Sequence, residues 1–162
     1  MKRLVDFQYR LFDRMRDRRA FEVARRRGTA ADFDGFRGAR QCLVVTFKRS
    51  GEPVPTPVNF GLSSGRLYFR SEPRTPKVKR IHHDPHVRVC PCNLRGRPTG
   101  PMVEGRARVL TAGEAERADA ALAGNWTRSM TAMERALDRL PLDVAYIEVE
   151  PVAPEISEGA SA

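Results

Sequence analysis

Prolines at positions 53, 55 and 57 alternate with Val54, Thr56 and Val58 in PVPTPVNFG, a stretch that otherwise has the make-up of a β-strand. Proline holds φ near about −65° and has no N–H, so this segment can neither continue a helix nor donate to a central ladder. It has to run extended at a sheet edge or a barrel rim, with part of its backbone open on one side. The rest of the chain must be arranged around that edge.

The flanking pattern supplies the arrangement. QCLVVTFK (41–48) is a strand, and RSGEP turns the chain into the proline segment, extended over 54–61. SSGR then turns it into LYFRS (67–71). HVRVCPC (86–92) and PMVEGRARVLT (101–111) form the next pair, joined by the turn-rich NLRGRPTG, and DVAYIEVEP (143–151) is a last alternating strand. Between 112 and 140 the pattern is helical with a break at Gly124, and EISEGASA ends the sequence as a frayed tail. Short strands with turn signals and few helices predict a mainly β fold with flanking helices, an antiparallel barrel. At 162 residues this is one domain with a sizeable core. We divide it into a basic helix over 1–28, a barrel over 29–151 and a tail over 152–162.

The N-terminal helix is read from Leu4, Phe7, Leu11, Met15 and Val23, spaced near 3.6 residues and ended by Gly28. Asp6, Asp13, Asp17 and Glu22 mix with the arginines on its polar face, so it is expected to lie on the domain or on a partner subunit and not on lipid. No apolar run reaches the ~18 residues of a membrane span, and the N-terminus lacks a signal-peptide core. Three cysteines, Cys42, Cys90 and Cys92, are too few for a disulfide framework, and a reducing cytoplasm is the expected location.

Charge is unevenly placed within the net +9. Residues 66–108 carry 11 basic and 3 acidic side chains, whereas 109–162 carry 4 and 10. A basic excess of this kind suits an anionic partner. Nucleic acid is one such partner, through residues 1–28 and 66–108, but the chain lacks the aromatic ladder that single-strand readers use.

RSEPRTPKVKRIHHDPHVR (70–88) narrows the choice. Pro76 suits a first helical position, Thr75 can cap it, and Asp84-Pro85 stops the helix near His83. The amides that open a helix attract anions, and Lys77 adds a full positive charge where an acid would ordinarily favour the dipole. Arg70 and Ser71 end the preceding strand and are expected to close on the same anion, which a phosphate fits best. A solvated basic face is the alternative for this stretch. His82, His83 and His86 carry no metal reading, because Asp84-Pro85 breaks the helix that would align them. Cys90 and Cys92 share one strand face with no second pair to complete a zinc site. Trp126 suits either core packing or cover over a flat ring.

GRLYFRSEPRTPKVKRIHHDPHVRV resembles the strand–helix–strand core of the pyridoxamine 5′-phosphate oxidase-like split β-barrel family, and most closely its branch that uses the deazaflavin coenzyme F420. LVVTFKRSGEPVPTPVNFGL, Pro91-Cys92 and GRPTGPMVEGRARVL add to the likeness, which spans roughly residues 40–111. The resemblance implies a split barrel that binds a cofactor phosphate through Lys77, with Arg70, Ser71 and Thr75 around it. It also implies that residues 54–59 lie along a tricyclic ring, with backbone groups offered by Thr56, Pro57, Val58 and Asn59. A homodimer with its sites at the subunit interface, and hydride transfer between F420 and a small organic substrate, follow from the same likeness. FMN is the alternative cofactor. Asn59 stands where many members of that branch carry an aromatic residue, and AGNWTRSM (123–130) lacks their Lys-Tyr-Gly pattern.

Overall fold

The computed structural model describes residues 18–128, 131–132 and 143–154. A first helix α1 spans Arg18–Ala24. Then come β1 (Gln41–Phe47), β2 (Pro53–Ser63), β3 (Arg66–Ser71), α2 (Pro76–His83), β4 (His86–Cys92), β5 (Val103–Val109), α3 (Ala115–Asn125) and β6 (Ala145–Val152). The six strands close into an antiparallel barrel in the order β1-β2-β3-β6-β5-β4. Of the helix expected over residues 1–27 only α1 is described, and the segment bearing Leu4 to Met15 lies outside the described residues.

The proline strand sits where its chemistry allows. From Pro53 to Asn59, β2 pairs with β1 alone, in the register Phe47↔Pro53 to Gln41↔Asn59. Only from Phe60 to Ser63 does it pair with β3, Phe60 facing Phe69. Pro53, Pro55 and Pro57 fall on alternate positions, so they can share one ladder class and turn their N–H-less nitrogens away from β1. The barrel is therefore split between the first half of β2 and the chain that leaves β3. Ser64 and Gly65, at φ 51° and 72°, make the two-residue turn between β2 and β3. Positive φ at both central residues matches the twist of paired strands.

Side chains divide by parity. Cys42, Val44, Val58, Phe60, Leu67, Phe69, Val87, Val89, Val103, Ile147 and Val149 fill the interior, and Val78 and Ile81 of α2 close it from one end. Outside, Leu43, Val45, Phe47, Cys90 and Cys92 meet Ala20 and Ala24 of α1 and Met102. Buried on both faces, β1 reads as the nearly continuous apolar run CLVVTF. On another outer face, Tyr68 packs against Ala118 and Ala121 of α3. Gly61 permits that approach, because a Cβ there would collide with the backbone carbonyl of Ala121.

The chain between α1 and β1 is tied down by Glu104. Its carboxylate accepts the Gly28 N–H at 2.6 Å and Arg88 Nε at 3.0 Å, and pairs with His86 Nε2 at 2.6 Å. Burial alone would raise this carboxyl, but the Gly28, His86 and Arg88 contacts together hold it below its ordinary value. His86 is stacked on Phe47, and the Arg88 guanidinium lies 5.1 Å from the centroid of the same ring. Among the described residues no three metal-ligating side chains cluster, and no helix is long and apolar enough to cross a membrane.

Candidate functional site

The split in the barrel and the start of α2 adjoin. β3 ends at Ser71, a turn runs through Glu72 to Thr75, and α2 begins at Pro76. Within the first turn of α2 there is no acidic residue. Thr75 occupies the N-cap with extended dihedrals, φ −65° and ψ 151°, but its hydroxyl makes no capping bond. Instead it donates back to the carbonyl of Glu72 at 2.9 Å. This corrects the expectation that Thr75 caps the helix: the Glu72 carbonyl lies closer at hand than the helical amides and takes its only proton. Thr75 therefore does not cap the amides that open α2, and a helix start of this kind attracts anions.

Ser71 and Thr75 are brought together, with their hydroxyls 3.1 Å apart. Because the Thr75 proton is committed to Glu72, Ser71 is the donor in this pair. Both residues lie at the inner, α2 side of the split, and Thr75 is only 5% exposed. Lys77 reaches over the buried ring of Phe69, its Nζ 5.5 Å from the centroid. Its charge is felt within the barrel. The Cys42 thiol is pushed well above its ordinary value, first by burial and then by Cys92 and Cys90, while Lys77 pulls the other way. Burial pushes the Cys90 and Cys92 thiols up to about 12. All three cysteines are buried and free.

Arg70 is not brought into this group. Strand alternation turns it to the outer face, where its guanidinium lies 5.3 Å over the ring of Trp126 and its register partner is Tyr146 of β6. Arg70 and Ser71 thus lie on opposite faces of β3, since neighbours in a strand alternate. Along β2, Thr56 and Val58 share the inner parity with Phe60, and Val58 is buried in the core. Pro57 and Asn59 face outward opposite Leu43 and Gln41. The Thr56–Asn59 segment thus combines side chains on both faces with a backbone edge that no strand covers.

Sequence reasoning missed two groups. Gln41 opens an otherwise apolar strand, donates from Nε2 to Asn59 Oδ1 at 3.1 Å, and keeps Oε1 buried without a partner. Its position as the one polar residue before CLVV was the available signal. Glu148, 2% exposed, takes Tyr68 Oη at 2.9 Å, Arg66 Nη1 at 3.0 Å, Arg108 Nη2 at 2.9 Å and Arg117 Nη2 at 3.3 Å. Burial would raise this carboxyl, but the Tyr68 hydroxyl and the guanidiniums of Arg108 and Arg66 outweigh it and hold it below the ordinary value. Its presence at an alternating position of AYIEVEP gave no hint that the strand's outer face would be roofed by α3.

Comparison with known proteins places this geometry. Residues 29–153 match the profile of a family described as pyridoxamine 5′-phosphate oxidase. No curated protein matches the chain. Among solved structures, a FAD-binding protein from Mesorhizobium loti is 20% identical over 77% of this chain and 91% of that one, with a TM-score of 0.53. The heme storage protein of Vibrio cholerae is 10% identical over 72% and 84%, at 0.56. A conserved hypothetical protein from Mycobacterium tuberculosis is 16% identical over 84% and 99%, at 0.53. At such identities the three structures speak for the fold alone. With most of its length inside the matched region and a closed six-stranded antiparallel barrel, the chain belongs to the pyridoxamine 5′-phosphate oxidase family.

Proposed function

We propose that this chain is an oxidoreductase that seats the phosphate of a flavin-type cofactor at the start of α2 and lays the tricyclic ring along the edge of β2 that no second strand pairs. One observation carries the reading. The Pro53–Asn59 edge has a strand partner on one side only, and it opens beside a helix start that has a lysine and no acid in its first turn. Lys77 and the amides of Lys77 and Val78 would hold the phosphate, while the backbone from Thr56 to Asn59 would meet the ring edge. Ser71 and Thr75 would shape the pocket through their mutual hydrogen bond and not by donating to the anion.

When bound, the cofactor supplies the hydride chemistry. The protein's part is to fix the ring's position, keep water from it and neutralise its charge. The family match supports a flavin-type ligand, and the FAD-binding protein from Mesorhizobium loti is an instance of this fold holding one. Within that class we favour the deazaflavin F420, with FMN second, because the net charge of +9 suits a cofactor with an acidic tail. The active species is proposed to be a homodimer, in keeping with the resemblance on which the site assignment rests.

Titration of the ligand-free protein with F420, FMN and FAD by calorimetry tests this. Binding of F420 with a lower Kd than FMN is the expected result. Tight FMN binding with none of F420 would move the assignment to a flavoprotein, and no binding of any of the three would end it. Light scattering of the same samples reports whether two chains assemble.

A further inference from the structure

Two basic stretches of the sequence, one ending at Gly28 and the other spanning 66–108, meet at one rung of the barrel. Arg88 of β4 and Glu104 of β5 face each other across the strands and pair on the outer surface. Arg88 Nη1 donates to the carbonyl of Ala24, the last residue of α1, at 3.2 Å, and Glu104 accepts the Gly28 N–H at 2.6 Å. The segment Arg25-Arg26-Arg27 is thus clamped at both ends, with all three side chains exposed. On the same face the next rung pairs His86 with Arg106, which is exposed as well. Two residues along a strand span about 7 Å, so Arg106 stands beside the clamped turn.

Among the described residues no acid pairs with these four arginines. Glu104 is committed to Gly28, His86 and Arg88. Glu150, opposite Arg106 on β6, pairs with Arg66 at 3.4 Å instead. Arg108, the next residue of β5 on that face, shows the contrast, since Glu114 and Glu148 hold it at 2.8 and 2.9 Å. The end of α1 tolerates cations through the helix dipole, which explains how the run stands there without acids but not why Arg106 adjoins it. Like charges gathered on one face repel one another, and a polyanion relieves that repulsion. The exposed large apolar side chains, Phe21, Leu94, Val144 and Val152, are spread over α1, the β4–β5 loop and the two ends of β6, and give no apolar face for a bilayer to take up. Phe21 is the single exposed aromatic among the described residues, so bases would find no row of rings to stack on.

We propose that Arg25, Arg26, Arg27 and Arg106 form a docking face for the phosphate backbone of duplex nucleic acid, bound without regard to sequence. Guanidiniums contact phosphate oxygens two at a time, and such contacts position a duplex without reading its bases. None of the four belongs to β2, β3 or α2, so the face is separate from the cofactor site proposed above.

Anisotropy titrations of the full chain with labelled duplexes of about 20 base pairs test this, using two unrelated DNA sequences and one RNA. All three should bind with Kd values within about threefold of one another. Replacing the four arginines together by Gln should lower the dependence of log Kd on log salt by about 3 to 4 and weaken binding at least about tenfold at about 0.1 M salt. Exposed substitutions of this kind leave the fold in place, which an unmoved urea midpoint verifies. Arg106→Gln alone, which leaves the segment after α1 untouched, should lower the same slope by about 0.9. Arg37→Gln, Arg95→Gln, Arg97→Gln and Arg128→Gln together remove equal charge from other exposed positions and should weaken binding by less than about threefold. Equal losses in the two fourfold variants would reduce the effect to net charge and overturn the docking face. Binding of the wild type to none of the duplexes would do the same. A preference of more than about tenfold among them would also overturn it, by moving recognition to base edges or the 2′-hydroxyl. Vesicles of phosphatidylcholine with about 30% phosphatidylserine offer a different anionic surface. Sedimentation with them that depends on the four arginines, without duplex binding, would assign the face to a membrane instead.

Discussion

The two sides of β3 hold charge in opposite ways. On the outer side Glu148 is surrounded by Tyr68, Arg66, Arg108 and Arg117, and Arg108 is held further by a two-point contact with Glu114 at 2.8 and 3.0 Å. Every oxygen of the buried carboxylate is used, and the basic side chains are matched by acids of the same face. At the other end of the strand, the chain enters a helix whose first turn is basic and holds no acid, and whose N-cap hydroxyl points elsewhere. The first grouping is closed on itself and serves the fold. The second is basic, has an N-cap hydroxyl turned away from the helical amides, and adjoins a strand edge that no second strand pairs. Basic residues alone do not mark a site; what distinguishes the two is that the first encloses a buried carboxylate, whereas the second opens a helix whose first turn holds no acid.

The largest effect should come from breaking the closed grouping. Glu148→Ala leaves three guanidiniums around a vacated, buried position, and removal of one partner of such a pair costs about 3–5 kcal/mol. Urea denaturation should read that loss directly. The same carboxyl, with Glu104, contributes to the acid sensitivity of the fold. Both titrate below the ordinary carboxylate value of 4.5 when folded, so the unfolded chain binds more protons just below that pH. Stability is fully present above about pH 5 and falls as the pH drops through the depressed folded values. Glu148→Gln should show a shallower acid slope than the wild type in denaturation series from about pH 6 to about pH 3. An unaltered slope would mean that Glu148 is not the closed centre assigned to it.

Next in size is the contact that roofs the outer face. Gly61→Ala would drive a methyl against the Ala121 carbonyl and push α3 off β2 and β3. Overpacking of this kind costs about 1–3 kcal/mol. Because α3 covers Glu148 through Arg117, Gly61→Ala and Glu148→Ala should be non-additive in a double-mutant cycle. Strict additivity would show that the roof and the charge grouping are independent.

How far the sequence foretold these two regions follows from the range of the interactions involved. The strands, the turn at Ser64-Gly65 and the limits of α2 were legible, because alternation, turn residues and Pro76 act within a few positions. The rim placement of β2 was legible as well, since the missing N–H groups of Pro53, Pro55 and Pro57 exclude a central ladder wherever the strand lies. The Glu148 centre was not, because Arg66, Arg108 and Arg117 come from β3, β5 and α3 and meet only through register. Arg70 and Ser71 were read together from the sequence, and the strand turns them to opposite faces. Charge suggested a partner for Ser71 and Lys77, but parity within a strand outranks proximity in sequence. Thr75 shows the same limit on a smaller scale, since its capping role fits the local pattern yet the Glu72 carbonyl takes its proton.

The open grouping predicts effects on binding and not on stability. Lys77→Ala should weaken a phosphate-bearing cofactor by about 1–3 kcal/mol, the range for a charge-assisted hydrogen bond. Its denaturation midpoint should move less than that of Glu148→Ala, because Lys77 is only partly buried whereas Glu148 is almost fully buried. A large stability loss without a change in Kd would place Lys77 with the closed kind of charge and sink the phosphate assignment.

The smallest effects separate Lys77 from the hydroxyls beside it. Ser71 donates to Thr75, and Thr75 donates to the Glu72 carbonyl, so neither has a proton left for an anion unless the turn rearranges. Thr75→Val keeps the shape of the side chain and removes both bonds, which should cost roughly 0.5–1.5 kcal/mol of stability. Ser71→Ala should cost less, since only the bond to Thr75 is lost and Ser71 is partly open to water. In both variants the amides of Lys77 and Val78 remain in place, so affinity for FMN phosphate or F420 should stay within about threefold of the wild type. If either variant instead lost as much affinity as Lys77→Ala, the hydroxyls would have to turn towards the anion on binding. The helix start would then be a site assembled by its ligand, in contrast to the pre-formed grouping around Glu148 on the other side of the strand.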